Sequence, residues 1–305
     1  MNVFSFGLLL ATFIWSLIFD MKLAYIFFSV IGVYICLEIW SRSKSSMSPR
    51  KKVAIATWND TGDPSIFGKQ EFELEKIDAF LEKYNAENPD KKLNYTHIAL
   101  KAMGYATGQT KKTMGKISFG NYLPAPSIDL SVFVDFNEKS MINVLVEDCK
   151  NQSISQIANQ MQEKLIEIRK TKKEEIQETL NFLDRMPTFL ISLIITIASF
   201  ISYNIGISIP MLGLKKNHFG YGIVANVADH GIQDLTIPLA NFARTVFVAT
   251  VNAPYEKPVV VGDKLVVKKV INFTITFDHR FADGSDAVAM LKDIEMVWNN
   301  PEKFV

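Results

Sequence analysis

The clearest pattern in the chain is the alternation of apolar and polar residues in several short segments. In INFTITFD, residues 271–278, Ile271, Phe273, Ile275 and Phe277 alternate with polar neighbours. The segment SIDLSVFVDF, residues 127–136, shows the same period of two. Because side chains point to alternate faces of a β-strand, this period predicts strands with one buried face. Between VVV and KLVV, the pair at residues 262–263 (Gly-Asp) predicts the turn of a β-hairpin.

Other segments repeat their apolar residues at steps of three and four, the period of an amphipathic helix. Ile154, Ile157, Met161, Leu165 and Ile168 follow this spacing, as do the apolar residues of THIALKAMGYA, residues 96–106. The segment FELEKIDAFLEKY, residues 72–84, is typical of a short strand followed by a helix. Since predicted strands and helices are interleaved, we expect a mixed α/β domain over residues 49–305.

The first 48 residues have a different pattern. Residues 3–19 and 23–40 are almost free of charge, with Glu38 the exception, and only three residues separate them. At about 1.5 Å per residue, each segment just crosses a bilayer core of roughly 30 Å. The sequence therefore predicts a transmembrane helical hairpin and a basic linker over residues 1–48, which would make the chain an integral membrane protein.

Basic residues follow the second apolar segment, among them Arg42, Lys44 and Arg50. Because such flanks favour the cytosolic side of a membrane, or the matrix side in mitochondria, we expect residues 49–305 to lie there. The mitochondrial inner membrane is one location that satisfies this expectation. A secretory signal explains the segment less well, since no basic region precedes it and no small-residue cleavage pattern follows it.

A third apolar segment, residues 188–212, has no charged residue at all. A single crossing of the bilayer would separate two parts of one folded domain, so we favour an interfacial or re-entrant helix. Its small polar residues lie at steps of three and four, which predicts a polar stripe facing protein or headgroups; they are Thr188, Ser192, Thr196, Ser199 and Tyr203. A core helix remains the alternative.

Charge and cysteine content narrow the functional classes. The 33 basic and 32 acidic residues balance, so no overall field favours nucleic acid, and no nucleic-acid motif is present. Two cysteines do not make a disulfide framework and fit a reducing compartment. His97 lies in an apolar helix and is predicted to be a core histidine, while His218 and His230 have no metal-ligand spacing, so we predict no metal site.

The segment FDHRFADGSD, residues 277–286, contains the strongest candidate chemistry. His279 follows a predicted strand, and a near-neutral imidazole can take a proton from a thiol or hydroxyl group. Asp283 could orient this ring or brace the loop, and Gly284 would permit close approach of a ligand. A structural histidine beside an acid is the alternative on spacing alone.

DHRFADG resembles the DHRxxDG signature of dihydrolipoamide acyltransferases, the catalytic cores of 2-oxo acid dehydrogenase complexes. The resemblance extends to residues 72–106, to residues 128–161 and to the hairpin before the signature, and it leaves residues 184–216 as an apparent insertion. It implies a chloramphenicol acetyltransferase-like α/β sandwich of mixed sheet and helices. It also implies acyl transfer with coenzyme A and a homotrimer, or membrane complex, with active sites between subunits.

By this resemblance His279 would be the general base, and Asp283 would pair with an arginine near the start of the domain. Arg50 is the best candidate for that arginine, although it could equally be a membrane-flanking charge. Arg280 and Gly284 would contact substrate.

Two departures from the family pattern leave a second hypothesis open. Where the family has a hydroxyl that stabilises the oxyanion, GYGIVANVADHG places Ala225, with Asn226 beside it as a substitute donor. A lipoyl attachment segment is also missing from the sequence given. We therefore expect a membrane-anchored acyltransferase, and keep as the alternative an inactive scaffold or accessory subunit of a membrane complex with the same fold.

Overall fold

The computed structural model describes residues 14, 21–44, 64–110, 113–137, 140–171, 188–208 and 216–305. Within these ranges the helices are α1 (Met21–Ser43), α2 (Glu75–Glu87), α3 (Tyr95–Gln109), α4 (Ile154–Thr171), α5 (Thr188–Ser199) and α6 (Gly284–Asn299). The strands are β1 (Ser65–Glu73), β2 (Gly115–Ser118), β3 (Asn121–Pro124), β4 (Leu130–Asn137), β5 (Ser140–Val146), β6 (Gly222–Asn226), β7 (Phe247–Val251), β8 (Tyr255–Val261) and β9 (Lys264–Asp278). The elements predicted from alternation and helical spacing are confirmed.

One mixed sheet organises the described chain, with strand order β1-β9-β7-β6-β4-β5 and β8 paired to β9. Strand β9 is 15 residues long because it has two roles. Its first half forms the predicted hairpin with β8 around Gly262, whose φ is +63°. Its second half is buried and lies between β1 and β7. The site segment therefore follows a strand that neighbours hold on both sides.

Helices α3 and α6 cover the sheet and close the core. Helix α3 has almost no exposed residue, which explains its nearly uniform apolar and small composition. Trp298 of α6 is fully buried and stacks on Phe72 of β1, with ring centroids 4.9 Å apart. The mixed α/β class predicted from the sequence is confirmed.

The N-terminal helix α1 rests on the hairpin of β2 and β3. The Ser41 hydroxyl donates to the Ser118 carbonyl at 2.7 Å, and the ring of Tyr34 meets that of Phe119 edge to face. Phe119 has a φ of +49° at the turn of this hairpin, and its ring also contacts Phe200. Helix α1 and the inserted segment are thus joined through one small hairpin.

Within the described residues, no helix combines the length and the apolar character that crossing a bilayer requires. Helix α1 coincides with the predicted second span, but its charge-free part ends before Glu38, and residues 23–37 rise only about 22 Å. This is short of the roughly 30 Å of a bilayer core. The predicted transmembrane hairpin is therefore unsupported, and its first arm, residues 3–19, lies outside the described residues apart from Ile14.

The inserted apolar segment does not form the single long helix that its composition suggested. Helix α5 ends at Ser199, a π-helical turn covers Phe200–Ile205, and Gly206 closes it with φ +80°. Ser199 and Tyr203 of the predicted stripe face the protein and are buried, whereas Thr196 is exposed. Because the last turns of this segment pack on the domain, they are part of its surface, and a membrane role for the segment is not supported by the fold alone.

Candidate active site

His279 is the first residue after β9, and two neighbouring segments fix its backbone. The Asp278 amide donates to the Val246 carbonyl and the His279 amide donates to the Pro64 carbonyl, both at 2.8 Å. Val246 precedes β7 and Pro64 precedes β1, so the hydrogen-bond ladders on both sides of β9 extend to the histidine. The position of this backbone is therefore set by the sheet rather than by a free loop.

The turn after His279 is anchored by its apolar residues. The amides of Phe281 and Ala282 donate to the Asp278 carbonyl at 3.0 and 3.3 Å, and both side chains are buried. The Phe281 ring packs edge to face on Tyr122, with centroids 6.1 Å apart. Because these two residues point into the core, the His279 side chain is left half-buried at the surface of the turn.

The imidazole of His279 is oriented by a backbone carbonyl. Its Nδ1 lies 3.0 Å from the Ala282 oxygen. A carbonyl oxygen can only accept, so in the neutral ring this hydrogen bond requires the proton on Nδ1 and leaves the lone pair on Nε2. This is the tautomer that a general base needs.

The side chain of Arg280 is held by Asp278, two residues before it. The Asp278 carboxylate, almost completely buried, accepts from Nε and Nη2 of Arg280 at 2.9 and 2.6 Å and from the Arg280 amide at 2.9 Å. This bidentate pair makes a rigid ring across the turn. The described contacts make Arg280 a brace for the segment that carries His279, and its predicted contact with substrate stays a prediction.

Asp283 begins helix α6. Its carboxylate accepts from the amides of Ser285 and Asp286 at 2.8 and 3.2 Å, and the Asp286 side chain accepts from the Asp283 amide in return. This capping box stabilises the helix start directly behind the histidine. The spacing Asp-Gly-Ser-Asp carried this signal, which the functional interpretation of the motif missed.

Two further predictions for this segment remain open. A side chain at Gly284 would meet no atom within 4 Å in this chain, and the predicted close approach of a ligand there stays a prediction. Arg50, the expected partner of Asp283, lies outside the described residues, and that pairing stays a prediction.

Ala225 and Asn226 lie in β6, well away from His279 in the same chain. Register aligns Ala225 with Thr250 of β7 and Thr250 with Thr274 of β9. His279 is five residues beyond Thr274, which is roughly 17 Å along the strand and two strands away. The Asn226 amide donates to Asp229 at 3.4 Å, and its oxygen accepts from the Ala228 amide. One chain therefore does not bring the predicted oxyanion residues to the predicted base.

His97 has the structural role expected of it. It is buried, and its Nδ1 accepts from the Asn94 amide at 3.1 Å in the capping box that begins α3. Burial lowers the pKa of His97 to about 4. Over the parts of the chain that the structure covers, no cluster of three histidine, cysteine or acidic residues could hold a metal ion.

The sequence around this site is similar to that of known acyltransferases. Residues 220–305 match the family model described as 2-oxoacid dehydrogenases acyltransferase (catalytic domain). A lipoamide acyltransferase component of the branched-chain alpha-keto acid dehydrogenase complex of Pseudomonas aeruginosa is 36% identical over 67 residues, which is 22% of this chain and 15% of the relative. A dihydrolipoyllysine-residue acetyltransferase component of the acetoin cleaving system of Bacillus subtilis is 29% identical over 82 residues, or 27% of this chain and 20% of the relative.

Solved structures extend the likeness to most of the chain. A probable dihydrolipoamide acetyltransferase from Listeria monocytogenes superposes over 85% of this chain and 94% of its own, with a TM-score of 0.55 and 15% identity. The cubic core of a pyruvate dehydrogenase multienzyme complex superposes over 83% of this chain and 88% of its own, with a TM-score of 0.58 and 14% identity. At such low identity these structures establish the fold alone, and they confirm the chloramphenicol acetyltransferase-like fold predicted from the sequence.

Together these findings define the class: an α/β domain with the fold of an acyltransferase catalytic core. More particularly, residues 220–305 match the family model of the 2-oxoacid dehydrogenase acyltransferase catalytic domain, so the expected resemblance is confirmed over that segment. The segments matched to the two curated relatives span 15% and 20% of the length of those proteins.

Proposed function

We propose that this protein is an acyltransferase that moves an acyl group between coenzyme A and a thiol or another acceptor, with His279 as general base. The observation that carries the proposal is the His279 ring, whose Nδ1 is tied to the Ala282 carbonyl at the end of a strand fixed on both sides. The family match over residues 220–305 supports the same chemistry.

The proposed step starts with the acceptor thiol. His279 Nε2 takes its proton, and the sulfur attacks the carbonyl carbon of the acyl thioester to give a tetrahedral oxyanion. When this intermediate collapses, the bond to the sulfur of coenzyme A breaks and the imidazolium returns the proton to the leaving thiolate. The Nδ1 hydrogen bond holds the ring in one orientation throughout, so that one nitrogen serves both transfers.

The proposal requires a second copy of the chain. Since Ala225 and Asn226 are roughly 17 Å along the sheet from His279 within one chain, their meeting at one site needs the histidine of one subunit and β6 of another. A homotrimer of the kind implied by the family resemblance would provide this arrangement. The β8–β9 hairpin offers an apolar contact surface, since Val260, Leu265 and Val267 are 65–74% exposed.

We also propose that helix α1 attaches the domain to a bilayer on its cytosolic or matrix side. Large apolar side chains of α1 are about half to two-thirds exposed, namely Tyr25, Ile26, Phe28, Val30, Val33, Ile35 and Ile39. Contiguous apolar surface of this kind marks a membrane or protein contact. Flotation of the full chain with phosphatidylcholine vesicles tests this: Val33→Asp should reduce flotation, whereas Val33→Leu, which keeps the same position apolar, should not.

Coenzyme A binding and acetyl-CoA turnover test the catalytic proposal. The wild type should bind coenzyme A and release free thiol in the presence of dihydrolipoamide as acceptor. His279→Ala should lower this rate by roughly a hundredfold to ten-thousandfold with little change in coenzyme A affinity. His230→Ala is the matched control, because that residue lies on the 3₁₀ turn after β6 and has no role in the step.

A specific observation favours an alternative, an inactive scaffold of the same fold. Ala225 replaces the expected hydroxyl and is itself buried in β6, so one oxyanion donor is missing. If the wild type neither binds coenzyme A nor turns over acetyl-CoA, and His279→Ala changes nothing, the scaffold is the correct interpretation.

A further inference from the structure

The inserted helix α5 and the loop before β7 line a cavity, open to solvent on one side, that the acyltransferase fold does not explain. The cavity has a volume of about 470 Å³, within the range of about 300–1,000 Å³ of small-molecule sites. Its lining combines apolar and polar residues: Ile191, Ile195, Thr196, Ser199, Asn241, Phe242 and Arg244. Four of these belong to the insertion, so the cavity exists only because the insertion packs there.

Arg244 is the charged group of this cavity, and neutral groups hold it in place. Its Nε donates to the Ser199 hydroxyl at 3.1 Å, its Nη1 donates to the Asn204 side-chain oxygen, and Ser199 in turn donates to the Phe242 carbonyl at 3.1 Å. Arg244 has a φ of +49°, a conformation uncommon outside glycine, so the loop adopts a particular shape to present it.

The guanidinium has no acidic partner in the described part of the chain. The ion pairs found there join other residues, and none involves Arg244. Two hydrogen bonds to neutral oxygens leave donors of the five-donor fork available, in a planar geometry that suits carboxylate or phosphate. An anion in the cavity would supply the missing charge.

The remaining walls suit an aliphatic chain. Ile195 and Phe242 are 42% and 45% exposed, which leaves a large part of each side chain open to the cavity and its mouth. Aliphatic and aromatic surface beside a fixed cation is the arrangement that recognises an anionic head on an apolar tail.

We propose that this cavity is a binding site for an anionic amphiphile, a carboxylate or phosphate attached to an aliphatic chain, with Arg244 on the head and Ile191, Ile195 and Phe242 along the tail. The ligand is either a free fatty acid anion or an acidic lipid in a membrane. The site is separate from the proposed acyl transfer and does not depend on it.

Calorimetric titration of the full chain with dodecanoate, below its micelle concentration, tests the site. Arg244→Gln should weaken binding roughly tenfold to a hundredfold, as expected for a lost charge-assisted contact, and Arg244→Lys should retain part of the affinity. Arg169→Gln, a neutralised arginine on the exposed end of α4, is the matched control and should bind as the wild type does. Dodecanol has the same chain without the charge. Its affinity for the wild type should be no higher than the affinity of dodecanoate for Arg244→Gln.

Co-sedimentation with phosphatidylcholine vesicles, with and without phosphatidylglycerol, distinguishes the two sources. If Arg244→Gln binds vesicles less well than the wild type only when phosphatidylglycerol is present, the ligand is a membrane lipid. If dodecanoate binds but the two proteins bind phosphatidylglycerol vesicles equally, the ligand is a free acyl anion. The proposal is overturned if dodecanoate and acidic vesicles bind wild type and Arg244→Gln equally, or if neither binds. It is also overturned if Arg169→Gln loses as much affinity as Arg244→Gln. Thermal unfolding of each variant checks that the fold is intact.

Discussion

The brace formed by Asp278 and Arg280 is the contact whose loss should be felt most at the candidate site. Replacing Asp278 by Asn keeps the size of the side chain and an acceptor for the Arg280 amide, but it removes the negative charge. The guanidinium, which now donates from Nε and Nη2 to the carboxylate, would face a neutral amide. The substitution thus isolates the ionic part of the contact.

The exposure of the two partners sets the expected size of the effect. The Asp278 side chain is 4% exposed and that of Arg280 is 32% exposed. Breaking a fully buried pair costs about 3–5 kcal/mol and an exposed pair about 0–1 kcal/mol. Since water can still solvate part of Arg280, we expect the free energy of unfolding to fall by about 2–3 kcal/mol. For a domain of this size that corresponds to a decrease in Tm of roughly 5–10 °C.

Differential scanning calorimetry of Asp278→Asn against the wild type measures this change. Asp234→Asn is the control, because the pair that it disrupts, Lys69 and Asp234, is 47% and 56% exposed and should contribute little. The reasoning is refuted if the two variants lower Tm by the same amount. In that case the buried carboxylate would be no more important than a surface one, and the turn would be held by its apolar residues.

Three further predictions concern other parts of the domain. Burial lowers the pKa of His97 from its ordinary 6.5 to about 4. The free energy of unfolding that the neutral His97 contributes is therefore complete above pH 6.5 and is lost as the pH falls toward 4, by up to about 1.4 kcal/mol per pH unit. Urea unfolding should show that the stability of His97→Gln decreases less steeply than that of the wild type over this pH range. Gly104→Ala should destabilise the domain by about 1–3 kcal/mol, because the added carbon would lie 2.6 Å from Cys149 Cβ. This clash should outweigh the better helix propensity of alanine. A Tm equal to that of the wild type contradicts the prediction. Ala225→Ser should raise acetyl-CoA turnover, by as much as roughly a hundredfold if it supplies an oxyanion donor, while Ala225→Cys, similar in size but a weak donor, should not.

Local periodicity was enough to predict the elements that carry the site, but not their partners. The alternation of Ile271, Phe273, Ile275 and Phe277 indicated a strand ending at Asp278, and the structure confirms it. That β1 pairs with this strand, Ser65 opposite Asp278, could not be predicted from periodicity, because the two segments are some 200 residues apart. Register depends on packing across the whole sheet, and a single sequence does not encode it locally.

Side-chain roles in the motif were predicted less well than its position. The sequence suggested His279 as a base, Arg280 as a substrate contact, and Asp283 as a group that orients the ring or braces the loop. The structure shows two contacts that the motif did not indicate: Arg280 pairs with Asp278, and the Asp283 carboxylate caps α6. Both contacts are between residues two or three apart, where short polar side chains compete for nearby backbone and charge. A motif interpreted for its chemistry alone therefore misses contacts that hold the turn in shape.

The insertion and the candidate active site meet at one edge of the sheet. The two arginines that lie there, Arg244 and Arg280, leave an excess of positive charge that favours an anion in the cavity. Arg244 precedes β7 by three residues, and the Val246 carbonyl between them accepts from the Asp278 amide. Desolvation first, and then the charge of the nearby Arg280, lower the pKa of Arg244. Asp278 neutralises Arg280 through a bidentate contact, whereas among the described residues Arg244 has only neutral partners. A ligand anion at Arg244 would therefore balance the charge at the end of β7 and β9 that also carries His279, the proposed base of acyl transfer.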